Sequence, residues 1–413
     1  MRVLLATFGT RGDVQPMLAL ARGLRQAGHT VTFCMPPDHV AWVEGDGFRV
    51  VPCGLPYSEL LVELTQGLGR AFAALANQIP AQFAALDALV DDADVVIAAS
   101  LEYATSTLCE QKRKPRRYVS YSPCALWSSA NPIPPLAMFT PPRFINALTW
   151  MLAGFAARFS VLRPVEKERR LRGLPPIANI WTHTGSGGVL LSFADNLAPT
   201  PSTPVPIAQV GPWLFDDDRP LAADVDAFLQ AGPPPVYVGF GSMLDQSPAH
   251  TRALVATAAK AAQVRVLFAG PRADVPVDER DDSFFVAGGP LPHRALFPRC
   301  AAIVHHGGAG TTTVATLAGV PQLLVPHEVD QFFHGRRVEA LGLGPRAIFR
   351  KKLTAQNLEP ALRSLVSGAF NATCREHAGR VRTDGVAAAV ALIEGAAQQT
   401  LRSPSPKQLA ASA

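Results

Sequence analysis

The chain has 413 residues, 48% hydrophobic and 17% charged, which excludes a disordered protein and suits two domains, each able to bury its own core. A net charge of +5 is too small to mark a nucleic-acid binder, and the basic run Glu110 to Arg117 ("EQKRKPRR") has no aromatic ladder beside it, so it reads as a solvated loop. Six scattered cysteines, without C-x-x-C or zinc-type spacing, point to reduced thiols in a cytoplasm rather than to disulfides or a structural metal.

The N-terminal "MRVLLATFGT" reaches Gly9 before it has built a signal-peptide core, and Arg2 to Thr7 reads as a strand. After the loop "FGTRGDVQP", "QPMLALARGLRQAGH" places Met17, Leu18, Leu20, Ala21 and Leu24 on one helical face, with Gly28 as the C-cap and Asp13 as a possible N-cap. Strands follow at Thr30 to Met35, Asp94 to Ser100, Arg117 to Ser122 and Gly188 to Phe193. Branched apolar runs separated by helical spans predict an α/β fold, with a parallel sheet and crossover helices. Within this half, Ile145 to Leu162 is a mostly apolar helix interrupted by Asn146 and Arg158. It is expected to line a greasy pocket, with a weak peripheral membrane contact second and a span last.

A proline-rich passage from Ala198 to Pro220, holding one short strand, and "AGPPP" after it read as the interdomain connection. The rhythm restarts with strands at Pro235 to Met243, Val264 to Gly270, Ser283 to Gly288, Ala301 to His306 and Pro321 to Pro326. The expected division is a domain over 1–210, a linker over 211–234, a second domain over 235–395 and a disordered tail over 396–413.

Two glycine-bearing turns end strands of the second half. "YVGFGSM" delivers Gly239, Gly241 and Ser242 to a sheet edge, where open parallel sheets bind ligands. "AAIVHHGGAGTTTVATLAG" runs from a strand through a glycine turn into a helix whose N-terminus favours an anion, and its threonines add hydroxyl donors. Adjacent histidines at a strand end point to opposite faces, so His305 and His306 cannot easily share a metal ion; one faces the crevice and the other packs below. No lysine follows the glycines, so this is not a triphosphate-binding P-loop, nor is it a G-x-G-x-x-G dinucleotide fingerprint.

Leu291 to Gly344, "LPHRALFPRCAAIVHHGGAGTTTVATLAGVPQLLVPHEVDQFFHGRRVEALGLG", resembles the donor-binding signature of the UGT-superfamily (GT1) glycosyltransferases. "MRVLLATFGTRGDVQPMLALARGLRQAGH" resembles the N-terminal strand, loop and helix of that family's bacterial antibiotic and sterol branch. The resemblance implies a GT-B fold, two Rossmann-like domains facing across a cleft, and an inverting, metal-independent hexosyltransferase. It would move a hexose or deoxyhexose from a UDP- or dTDP-sugar to a hydroxyl of a lipophilic acceptor, with no cofactor. Carried over by position, His306, Gly308, Gly310, Thr311, Gly241 and Ser242 would hold the donor diphosphate. Asp330 and Gln331 would bond the sugar, and Pro292 and His293 would lie against the base. Thr10 and Arg11 would approach the donor from the other domain, with Asp13 as general base. Trp127 and Phe139 fall in the region implied to bind the acceptor. The plant members' base-stacking tryptophan corresponds to Pro290 and their ribose-binding glutamate to Val314, so uridine and thymidine diphosphates both fit. Two other readings of the same cradle are a GT-B nucleotide-sugar epimerase and a catalytically silent nucleotide-sugar or lipid-binding partner protein.

Overall fold

The computed structural model describes residues 1–65, 68–217, 219–241, 247–270, 283–289 and 291–402. Among them, strands β1 (Arg2–Phe8), β2 (Thr30–Met35), β3 (Arg49–Pro52), β4 (Val95–Ser100), β5 (Arg116–Ser120), β6 (Val189–Leu191) and β7 (Ile207–Gln209) form one sheet. A second is built from β8 (Val236–Gly239), β9 (Val266–Ala269), β10 (Phe284–Ala287), β11 (Ala302–His305) and β12 (Gln322–Leu324). Every pairing in both sheets is parallel. The central strands are buried along nearly their whole length, as expected of branched apolar runs covered by helices on both faces.

Strand order explains where a site can form. The first sheet runs β3-β2-β1-β4-β5-β6-β7 and the second β10-β9-β8-β11-β12. Each half starts in mid-sheet, builds outward, and then crosses back to the other side of its first strand. Crossovers therefore diverge between β1 and β4 and again between β8 and β11, leaving a crevice at the C-terminal ends of those neighbouring strands. Both glycine-bearing turns singled out in the sequence lie at such a point.

The two halves share apolar contacts beside the crevice. Cys124, Leu126, Ala137 and Phe193 from the first half pack in one cluster with Leu324, Phe333, Val338 and Leu343 from the second. Polar bonds cross as well: Arg337 donates to the Leu197 carbonyl at 2.7 Å and Asn196 to the His377 carbonyl at 2.9 Å.

Several local expectations are corrected. Arg49–Pro52 is a strand that a four-residue "RVVP" run did not announce. Asp13 is not the N-cap: the helix begins at Arg11 and Thr10 caps it. The apolar segment is a helix over Arg143–Ala157 that bends by 56° into a second one, Leu162–Leu171. No single helix among the described residues is long and apolar enough to cross a membrane, although this bent pair has the length and composition. The helix Gly385–Arg402 extends past the point where a disordered tail was expected. Its Ala389, Val390 and Ile393 pack into the core around Val14, Met17 and Leu18, so this helix returns to the first half. Past Glu394 the buried residues are Ala396 and Ala397, which is why that stretch lacked an obvious apolar period.

Candidate functional site

The first wall of the crevice is the turn between β1 and the helix Arg11–Gln26. Thr10 and Asp13 form a capping box: the Thr10 hydroxyl oxygen accepts from the Gly12 amide at 3.1 Å, and Asp13 Oδ2 accepts from the Thr10 amide at 2.7 Å. The Thr10 hydroxyl also donates to Asp13 Oδ2 at 2.9 Å, so its proton is committed to the carboxylate. On the other oxygen, Ser100 Oγ donates to Oδ1 at 2.6 Å from the end of β4, the strand beside β1 across the switch point. Ser100 holds a left-handed φ of +62°, rare outside glycine, while its carbonyl accepts from the Tyr118 hydroxyl at 2.8 Å. Gly9 is required here, because a Cβ on it would lie 2.3 Å from Asp13 Oδ2.

Three hydrogen bonds favour the Asp13 carboxylate, yet its pKa is raised above the ordinary value. Loss of hydration is the largest cause and the negative charge of Asp330 adds to it. Asp13 keeps a partial opening to solvent, so it remains reachable from the crevice. The Tyr57 phenol is also pushed upward, first by burial and then by Asp13 and Glu328, which places it within electrostatic reach of both carboxylates.

The second wall is the turn after β11. His305 is fully buried; its Nδ1 accepts from the Gly307 amide at 3.1 Å, and its other nitrogen bonds Gln322 Oε1 at 3.1 Å. His306 turns toward the crevice between two glycines. A Cβ on Gly308 would lie 2.6 Å from His306 Nε2, and one on Gly241 would lie 3.0 Å from its Cε1. The glycines thus make room for the imidazole. His306 Nδ1 is buried with no protein partner, and burial followed by neighbouring histidines drives the ring's pKa down to about 3, keeping it neutral.

Gly308 starts the helix Ala309–Leu317 without any side-chain cap, leaving its first amides for a ligand. The threonines divide. Thr312 and Thr313 donate to carbonyls four residues back, at 2.9 Å each, and Thr311 is half-buried. Gly310 is exposed beside it. Ser242, and Pro290 with it, lie outside the described residues.

Near the other end of this wall, the His293 ring stacks on Phe297 at 4.5 Å and bonds the Tyr237 hydroxyl at 3.1 Å, with Pro292 buried next to it. Burial is the main cause holding His293 down at about 4, and the charge of Arg11 contributes. Arg11, reaching from the first half, lies 4.3 Å over the Trp42 ring. Of the pair Asp330 and Gln331, expected to bond the sugar, Asp330 is close enough to Asp13 to affect its titration. Gln331 is buried, its side-chain oxygen accepting from the His327 and Glu328 amides at 2.8 and 3.2 Å, so it braces the loop that presents Asp330. Just before Asp330, Val329 sits at φ +49°, a strained position for a β-branched residue.

Trp127 is half-buried and Phe139 is 57% exposed, on the segment that leads into the helix Arg143–Ala157. That helix is anchored by Asn146 and Trp150, which donate to the Ser129 and Asn131 carbonyls at 3.1 and 3.0 Å. Phe144, Leu148, Met151, Leu152 and Phe155 remain exposed.

Sequence reading missed Ser100, Tyr57 and His334. Ser100 could have been found from the rule that the strand beside the first one at a switch point also contributes to the site. His334 stands four residues after Asp330, one helical turn away, and nothing in its local pattern distinguishes it.

Two family models match the chain: the glycosyltransferase family 28 N-terminal domain over residues 3–123, and the erythromycin biosynthesis protein CIII-like C-terminal domain over residues 285–392. Glycosyltransferase GtfE of Amycolatopsis orientalis is 36% identical, with 95% of this chain and 97% of that protein covered. Vancomycin aglycone glucosyltransferase of the same organism is 34% identical over 95% of this chain and 97% of its own length. Among solved structures, glycosyltransferase VinC in complex with DTDP superposes with a TM-score of 0.68 at 21% identity, covering 97% of this chain and all of the other, a likeness of fold. With the fold, both signature turns and these relatives in agreement, the chain belongs to the GT1 glycosyltransferases of GT-B fold, in their antibiotic-glycosyltransferase-like branch.

Proposed function

We propose that the protein is an inverting, metal-independent glycosyltransferase that moves a hexose or deoxyhexose from a UDP- or dTDP-sugar to a hydroxyl of a lipophilic small-molecule acceptor. The observation that carries this reading is the pairing of two switch points: a half-buried carboxylate, Asp13, with its pKa raised, stands across from an uncapped helix start and a neutral His306 with an unpartnered nitrogen. Relatives named for glucosyl and dTDP-epi-vancosaminyl transfer support a nucleotide-sugar donor.

In this mechanism the diphosphate lies on the Gly308 turn and the first amides of the helix Ala309–Leu317. The His306 imidazole and Thr311 hydroxyl donate to its oxygens, and Arg11 offsets charge from the opposite side. These groups stabilise the leaving diphosphate, so no metal ion is needed for that task. Asp330 bonds the sugar from the loop that Gln331 braces. The acceptor enters along Trp127, Phe139 and the apolar face of the helix Arg143–Ala157, which also suits a weak contact with a membrane surface. As the acceptor oxygen bonds to the anomeric carbon and the bond to diphosphate breaks, its proton passes to Asp13. An ordinary carboxylate near pKa 3.9 is a weak base toward an alcohol, and an upward shift improves the match. The buried cysteines are consistent with a reducing cytoplasm.

The test is a thermal-shift panel of UDP- and dTDP-sugars followed by a mass-shift screen of apolar hydroxyl compounds. Acceptor-dependent gain of one sugar is expected. Isomerised sugar without an acceptor identifies the epimerase, and donor binding with neither transfer nor hydrolysis identifies the silent binding protein.

A further inference from the structure

His334 lies on the helix Gln331–Ala340, is fully buried, and joins the two halves of the molecule at the back of the donor turn. Its Nδ1 is 2.7 Å from the Gly307 carbonyl oxygen. A carbonyl can only accept, so Nδ1 carries the proton. The other nitrogen, Nε2, lies 3.1 Å from the hydroxyl of Ser122, which is buried two residues past the end of β5 in the other half, and 4.0 Å from Asp330 Oδ2. The ring also stacks on Phe193, just past β6, at 5.3 Å with 14° between planes. Two groups of the first half therefore hold the imidazole, and the imidazole holds the Gly307 peptide.

Gly307 has a φ of +96°, and a Cβ on it would lie 2.9 Å from Leu324 Cδ2, so glycine is needed; His305 Nδ1 holds its amide at 3.1 Å, and its carbonyl is held by His334. The peptide between Gly307 and Gly308 is planar and trans, with its C=O and N–H pointing in opposite directions. Drawing the Gly307 carbonyl onto His334 aims the Gly308 amide directly away from the buried ring. We infer that His334 is a positioning residue that aims the Gly308 amide at the donor diphosphate, and that Ser122 ties this aim to the placement of the acceptor-binding half. The inference rests on the donor-site reading above. It makes the shape of the diphosphate turn depend on how the two halves meet.

The two arms can be cut separately. Asparagine can place its NH2 group near the position of Nδ1, and glutamine near that of Nε2, so His334→Asn keeps a donor to Gly307 and His334→Gln keeps a partner for Ser122. Ser122→Ala removes the arm to the first half and leaves the His334 bond to Gly307 in place; it also removes the 3.3 Å contact of the Ser122 hydroxyl with Cys124 Sγ, so its melting temperature is read beside its rate. Binding of UDP and of dTDP is measured by calorimetry, and kcat and donor KM on the acceptor found in the screen. His334→Gln is expected to weaken nucleotide binding about tenfold, the scale of one misaimed hydrogen bond to a charged group, and His334→Asn to stay within about twofold. Ser122→Ala is expected to leave nucleotide affinity and donor KM within about twofold while kcat falls about fivefold. Equal losses for Asn and Gln, or native affinity in Gln, overturn the positioning role, and native kcat in folded Ser122→Ala overturns the link between halves. Failure of the native protein to bind either nucleotide sinks the donor-site reading itself, and this inference with it.

Discussion

Two turns face each other across the crevice, built from the same strand-loop-helix topology to opposite ends. At the first, side chains complete the helix: Thr10 and Asp13 cap it, Ser100 adds a third donor, and the result is one carboxylate in a defined orientation. At the second, Gly308 provides no side-chain cap, the nearby glycines are shaped around His306, and the helix start remains open to an anion. Capped, the topology fixes a carboxylate in place; uncapped, it leaves its first amides free of side-chain partners, which suits the two roles proposed for them. The difference lies in three or four side chains rather than in the fold.

The sharpest way to break this comparison is Asp13→Asn, which keeps the shape of the carboxylate and removes its basicity. Turnover should fall by about 10²- to 10⁴-fold, the usual worth of a general base, with nucleotide affinity within about twofold. Near-native turnover rejects the role given to Asp13. Because Asp13 also closes a capping box, the variant's melting temperature must be read beside its rate.

Gly308→Ala tests the other turn. Its methyl group would meet His306 Nε2 at 2.6 Å, so the ring or the turn must move, and nucleotide affinity should drop by about tenfold or more, as for the loss of a hydrogen bond to a charged group. Unchanged affinity would mean that His306 does not need its place between the glycines.

A smaller change is expected from Ser100→Ala. The Ser100 hydroxyl favours the ionised form of Asp13, so deleting it raises the Asp13 pKa further and moves the acid limb of kcat/KM to higher pH. A limb that stays in place or moves down contradicts the contact.

Acidification should also separate the two turns. Burial lowers the pKa of His305 and His306 to about 3, and of His293 and His183 to about 4, from an ordinary value near 6.5. An unfolded chain takes up those protons below about pH 6.5. The folded chain does not until far lower pH, so stability falls as pH drops from 7 to 5. Three of the four histidines belong to the second half, and the urea midpoint at pH 5 should be lower than at pH 7. An equal or higher midpoint contradicts their burial as neutral rings. The smallest effect is expected from a metal chelator: activity with EDTA should match activity without it, and loss restored by a divalent ion would overturn the metal-independent assignment.

Much of this molecule was legible in the sequence because its signals are local. Branched apolar runs announced the central strands of both sheets, and a strand-glycine-helix succession announced the turn at His306. What escaped depends on contacts distant in sequence. Ser100 meets Asp13 across 87 residues, and His334 meets Ser122 across 212. The threonines show a different limit: a run of three at a helix start promises hydroxyl donors, yet two of them turn back to their own helix. The end of the last helix escaped because beyond Glu394 its buried residues are the small Ala396 and Ala397.

The most direct test of the account is the anomeric configuration of the first product, read by proton NMR coupling constants against that of the donor. Proton transfer to Asp13 during a single displacement predicts inversion. A product with the donor's configuration would make a covalent or internal-return mechanism necessary and would contradict the assignment of Asp13 as the base.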